Sequence, residues 1–278
     1  MLDATGKQVS SYTSPLYTGR VNPAYGGIYV LESTGNSYYN ALLVQANRRY
    51  SNWLQGSLAY TYGHAIDYAQ GGRNTLFGST CATSVFNGDY RGEKGSSSID
   101  QRHRLVINAI AAPTFVHSDS FAARYLINNW QLSGVTVLAS SQPLAPTVRV
   151  NDRAPGTLST FSLNGLGGSN RVPFESISAL NIGDLYRTDA RLTKILPITE
   201  RVKVNLMFEA FNIFNHPIVS GSGPRVTQQY TSLKQTSGPL IGQIALVPNA
   251  SYGSILQTQI APDGTTARRA QVAIRITF

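Results

Sequence analysis

The sequence predicts an all-β chain whose antiparallel strands are long enough to cross a bilayer. Three observations predict it. Apolar and polar residues alternate with period two over segments longer than ordinary strands. Tight turns alternate with long, weakly patterned connections. Charged residues make up 13% of the 278 residues while hydrophobic content is 42%, and a soluble globular chain carries about 25% charge. Ser, Thr, Asn, Gln, Gly and Tyr fill the deficit, which suits strands with one apolar face and one polar but uncharged face. These features describe an antiparallel transmembrane β-barrel segment of about eight or more strands, with short periplasmic turns and long extracellular loops.

Successive side chains of a strand project to opposite faces, and each segment sorts accordingly. In 37–51, Leu42, Val44 and Ala46 oppose Ala41, Gln45, Asn47 and Arg49, with Leu43 as the exception. In 53–66, Leu54, Leu58, Tyr60 and Tyr62 oppose Gln55, Ser57, Ala59 and Thr61. In 101–113, Leu105, Ile107 and Ala109 oppose Arg104 and Asn108. Segment 130–142 is apolar on both parities. In 200–214, Val202, Val204, Leu206, Phe208 and Ala210 oppose Lys203, Asn205, Met207, Glu209 and Phe211. In 268–278, Val272, Ile274, Ile276 and Phe278 oppose Gln271, Ala273, Arg275 and Thr277. These runs last about 10–15 residues, against roughly 5–6 for an ordinary globular strand and about 9–11 for a tilted strand crossing a bilayer.

The connections carry the second signal. Residues 51–52 and 197–199 read as tight turns, whereas 67–100, 145–186 and 217–251 are long and rich in Gly, Ser, Asn and Pro. Outer-membrane barrels show this asymmetry. Tyr50, Trp53, Trp130, Phe214 and Phe278 stand at strand ends, where amphipathic rings suit a membrane interface. The competing reading is a soluble sandwich, because aromatics favour strands and pack sandwich cores as well.

Net charge is +9. Arginines are scattered, the closest runs being Arg48-Arg49, Arg102-His103-Arg104 and Arg268-Arg269, so no nucleic-acid footprint is expected. The single cysteine, Cys81, lies in a Gly/Ser/Thr/Asn-rich stretch and reads as an incidental loop thiol. No apolar run approaches a transmembrane helix. The opening "MLDATGKQVSS" carries Asp3 and no apolar core of a signal peptide.

No enzyme is expected. His64, His103, His117 and His216 fall at strand ends or in a turn, and HExxH, GxSxG and CxxC patterns do not occur. No cofactor or metal is expected either. "NDRAPG" (151–156) and "APDGTT" (261–266) hold single acids in turn-like surroundings, and calcium needs several oxygen ligands together. Lys203 and Glu209 share one face of a strand and read as polar barrel wall. The basic residues within 91–104 and at 268–269 suit lipopolysaccharide phosphates or a solvated loop equally well.

Five stretches carry a resemblance: "STGNSYYNALLVQANRRYSN" (33–52), "SSSIDQRHRLVINAI" (96–110), "NNWQLSGVTVLASSQPL" (128–144), "DARLTKILPITERVKVNLMFEAFNIFNHP" (189–217) and "QVAIRITF" (271–278). In this order the chain resembles the C-terminal barrel of Oar-like TonB-dependent outer-membrane receptors, the type with a carboxypeptidase-regulatory-like domain. The resemblance implies a wide barrel filled by an N-terminal plug, with a short segment that meets the energy-coupling protein TonB. The expectation is that residues 1–278 are the C-terminal portion of such a barrel, with plug and N-terminal domains absent and Met1 an internal or unreliable start. The implied partners are outer-membrane lipid and lipopolysaccharide, the barrel-assembly machinery, TonB through the missing region, and a transported ligand chosen by loops and plug. The resemblance further implies that the assembly machinery reads the last strand, which makes Val272, Ile274, Ile276 and Phe278 the expected assembly signal. The alternative function is a free-standing small porin or structural barrel without a plug.

Overall fold

The computed structural model describes residues 1–25, 36–51, 53–68, 93–152, 156–157, 163–165, 171–219, 225–238, 241–256 and 267–278. Its centre is an antiparallel meander. The strands β1 (Tyr38–Ser51), β2 (Leu54–Asp67), β3 (Gly95–Ser96), β4 (His103–Ala111) and β5 (Trp130–Ala139) come first. After β6 (Pro143–Leu144), β7 (Thr147–Val150) and β8 (Leu180–Asn181) follow β9 (Leu185–Pro197) and β10 (Lys203–Phe211). β11 (Gln228–Lys234), β12 (Ile244–Pro248) and β13 (Arg269–Thr277) complete the series. The long strands pair in the order β1-β2-β4-β5-β9-β10-β13, with β3 added at the end of β2. Each neighbour is the next long strand in the chain. Among the described residues β1 and β13 each have one partner, so the sheet has two open edges.

Register shows why these residues choose these strands. Val204 lies opposite Leu196 and Ile276, and Phe208 opposite Leu192 and Val272. Leu58 lies opposite Ala46 and Ile107, and Ile107 opposite Thr136. Cross-strand partners share a face, so the apolar parity of every strand falls on one side of one sheet. A one-residue slip in any pair would invert this. Among the described residues no second layer covers the apolar side: Leu42, Leu58, Ile107, Leu132, Phe208 and Ile274 are all exposed. A soluble monomer rarely tolerates so large a contiguous apolar patch. Hydrocarbon removes the cost, and the sandwich reading fails with it. Polar atoms on this side are satisfied in place, as Thr136 and Thr188 are by each other at 3.1 Å.

The buried apolar cluster lies elsewhere, in the long connections. Val148, Val172 and Leu246 pack with Phe174 and Tyr230 on a small sheet ordered β12-β11-β7, in which β7 and β11 run parallel. β6 and β8 form a separate ribbon. Connections 145–186 and 217–251 are thus more structured than their sequence patterning suggests. Their strands are short and pair between distant segments, which leaves little periodicity to read. Arg171 ties the connections together: its Nε and Nη2 donate to Glu93 at 2.9 and 3.0 Å, and its Nη1 to the carbonyls of Val172 and Glu175 at 2.7 Å. Both members of this pair are buried, a geometry that repays desolvation only when so fully bonded.

Two of the three connections at the opposite end are short, as expected. Ser51 of β1 lies opposite Leu54 of β2, and β9 joins β10 through 198–202, so Pro197 ends β9 where the sequence predicts a turn over 197–199. The third, 112–129, is long. It folds back as an ordered foot containing a π-helical turn, Ala123–Ile127. Asn128 holds it closed, accepting the amides of Phe115 and Val116 at 2.9 and 3.0 Å and donating to the Val116 carbonyl at 2.6 Å. Asn129 follows in the left-handed region at φ 63°, where asparagine is the best tolerated non-glycine residue.

Candidate functional site

Three groups of residues stand out. The first is the polar side of the sheet. Arg191 of β9 faces Glu209 of β10, and Asp189 lies two residues before Arg191 on the same side of β9. Arg187 Nε donates to Asp189 at 3.0 Å, and the Asn212 amide donates to the same carboxylate at 2.8 Å. Glu209 receives Arg191 on one oxygen and the Gln271 amide on the other, linking β9, β10 and β13. Beside them lies a cavity of about 320 Å³ lined by Asn108, Ser133, Asp189, Arg191, Glu209 and Phe211. All six belong to the polar parity. Lys203 shares that parity with Glu209, as expected of a barrel wall.

The second group is β13. Val272, Ile274, Ile276 and Phe278 are 74%, 68%, 59% and 94% exposed. The first three lie opposite Phe208, Leu206 and Val204 on the apolar side.

The third group caps the long-connection end of β2. Asp100 Oδ1 accepts the Ala65 amide at 2.7 Å, and Oδ2 accepts Arg102 Nε and His64 Nδ1, both at 3.1 Å. Arg102 Nη2 lies 2.9 Å from His64 Nε2, which closes the three side chains into one network. Burial pushes the Asp100 carboxyl up, but the Ala65 amide, Arg102 and His64 outweigh it and hold it below its ordinary value of 3.8. A lowered folded pKa contributes stability that is present above the unfolded value and lost as pH falls through the folded one. Asp100→Ala should therefore speed hydrogen exchange across 93–102 at neutral pH, on the scale of about 1–3 kcal/mol for an orphaned buried donor. In the unsubstituted protein the same acceleration should appear only below about pH 4. Unchanged exchange in the variant would show that this clasp anchors nothing.

The remaining expected residues are dispersed. His103 opens β4, with Nδ1 2.8 Å from the Tyr60 hydroxyl. His117 lies in the foot, and the His216 ring packs 4.9 Å from that of Tyr186. Asp152 accepts the Lys234 amide at 3.0 Å, tying a loop to β11. Arg104 donates to Gln101 at 3.2 Å, and Arg268 donates through its amide to Asn215 at 2.9 Å. Cys81 and Asp263 lie outside the described residues. Tyr50, Trp53, Trp130 and Phe278 all stand at the turn end of the sheet and Phe214 beyond its other end, as two interfacial girdles require.

Apolar outside, polar inside and uncovered on its apolar face, the sheet is a section of membrane barrel wall. A family model described as an outer membrane beta barrel domain matches residues 4–271. The chain belongs to that family. No curated protein and no solved structure matches it. The family sets the environment: this outer membrane beta-barrel domain resides in the outer membrane, with its apolar parity in lipid and its polar parity toward the lumen.

Sequence reading missed the Asp100 clasp and the Arg171–Glu93 pair. Asp100 and His64 stand 36 residues apart and Arg171 and Glu93 stand 78 apart. The only local signal was the charge alternation of "DQRHR" at 100–104.

Proposed function

We propose that the chain is the C-terminal wall of the barrel of a TonB-dependent receptor of the Oar-like type, carrying a ligand across the outer membrane with energy delivered through TonB. The open sheet carries this reading. An edge strand in hydrocarbon leaves backbone N–H and C=O groups unpaired at several kcal/mol each, so β1 and β13 require further strands. The five resembling stretches indicate that upstream strands of the same polypeptide supply them, together with a plug that fills the lumen. The Asp189, Arg191 and Glu209 cluster then faces that plug, a role for charged wall residues that does not require catalysis. Lys94, at the long-connection rim, is suited to lipopolysaccharide phosphates, whereas Arg104 lies on the polar parity of β4 and faces the lumen.

The test separates this from the plugless small barrel. Outer membranes should yield peptides of residues 185–278 within a polypeptide much larger than 278 residues, retained by the periplasmic domain of TonB and silent in planar bilayers. A heat-resistant barrel of residues 1–278 alone that conducts steadily without TonB would overturn the proposal and select the alternative.

A further inference from the structure

The foot does more than join β4 to β5. It leans on the lipid side of the sheet and borders an open groove of about 530 Å³, within the size range of small-ligand sites. Ala111, Leu132 and Leu192 form its floor, on the apolar parity of β4, β5 and β9. Phe115, Leu126 and Ile127 form the outer wall. The Trp130 ring closes one side, its indole N–H already given to the Leu126 carbonyl at 2.9 Å. No polar group in the groove awaits a partner, so water has nothing to bind there.

The foot is held rigidly at this depth. Tyr125 donates to the Pro197 carbonyl at 3.0 Å, and Ile195 donates its amide to Asn129 at 2.9 Å. Lys194 lies on the apolar parity opposite Leu206, yet it is 6% exposed. Its ammonium donates to the Asn128 carbonyl and lies 5.0 Å over the Trp130 ring. This buried cation fastens the foot to β9. His117, Ser118, Asp119 and Ser120 are exposed, so this stretch of the foot meets water or headgroups, while Phe115, Phe121 and Leu126 also remain exposed.

We propose that the groove seats one acyl chain of a phospholipid of the periplasmic leaflet. Its floor is continuous with the lipid-facing side of an outer membrane barrel domain. The short turns mark the periplasmic end, and Trp130 and Tyr125 mark the interface. A chain in the open groove meets the floor, the outer wall and the Trp130 ring, whereas a chain lying against the open sheet meets one face, so it outlasts detergent extraction. The inference rests on the outer-membrane environment and not on transport.

Intact-mass spectrometry of the natural protein, purified from outer membranes in mild detergent, tests it. The expected result is one retained phospholipid per chain. Ala111→Phe fills the floor and should lower retention about tenfold, the equivalent of two displaced methylenes. Ala46→Phe, on the apolar parity of β1 away from the groove, should retain lipid normally. Leu126→Asp removes the outer wall without touching a strand ladder and should match Ala111→Phe, which keeps the test independent of assembly of that variant. Equal retention in all forms, no retained lipid in the unsubstituted protein, or lipid A or a peptide in its place would overturn the proposal.

Discussion

Removing Thr277 and Phe278 from the natural protein is expected to lower the amount assembled in the outer membrane severalfold and to leave protease-sensitive chains in the periplasm. Among the described residues β13 pairs with β10 on one side and is open on the other. An open strand edge is a template for another strand, and pairing of this kind is how proteins capture a strand by augmentation. Val272, Ile274, Ile276 and Phe278 present a single apolar row along that strand, with Phe278 the most exposed. We propose that the assembly machinery reads this row. The competing role is that Phe278 only anchors the barrel at the interface, contributing about 1.5–3 kcal/mol by burial of a large side chain. The two separate by what changes. Loss of an anchor lowers the melting temperature of assembled barrel but not its quantity, whereas loss of a signal lowers the quantity. Phe278→Tyr and Phe278→Trp should preserve assembly. Normal surface levels after removal of both residues would leave the anchor role alone.

How much was legible in the sequence follows from what sets each feature. The wall was legible because a period-two pattern is imposed on every residue of a strand by its environment on both faces. Val204, Leu206 and Phe208 announce their neighbours Ile276, Ile274 and Val272 because all six meet the same lipid. Even Leu43, the exception in β1, keeps the parity of Gln45 and Asn47 and lies on the polar side. The family match over residues 4–271 and the outer-membrane location it gives agree with that pattern. The foot was not legible. Residues 112–129 hold together through Asn128, whose side chain serves Phe115 and Val116 a dozen residues back, and such a bond leaves no period. Nothing in the sequence marks the burial of Lys194; the Asn128 carbonyl and the Trp130 ring explain it on the apolar side. The loop sheet of β7, β11 and β12 was hidden for a related reason. Its cluster of Val148, Val172 and Leu246 gathers residues from two connections, neither with a pattern of its own.

The adjacent residues Ile107 and Asn108 should respond oppositely to a new cation. Both lie near the middle of β4, with paired strands on either side. Ile107 faces Leu58 and Thr136 on the apolar side, and Asn108 donates to Ser57 at 2.6 Å on the polar side. Ile107→Arg puts a guanidinium near the bilayer midplane, at a cost of about 2–4 kcal/mol for a barrel in lipid. Asn108→Lys gives up one hydrogen bond, a net loss of about 1 kcal/mol. Its ammonium enters the cavity that also borders Asp189 and Glu209, which offsets part of that loss. Urea unfolding of the natural protein from bilayers of fixed composition measures both values. The expected midpoint falls sharply for Ile107→Arg and shifts little for Asn108→Lys. Two residues consecutive in sequence share depth and neighbours and differ only in the side of the sheet they face. Equal losses at the two positions, or a larger loss at Asn108, would therefore contradict the assignment of the apolar parity to lipid.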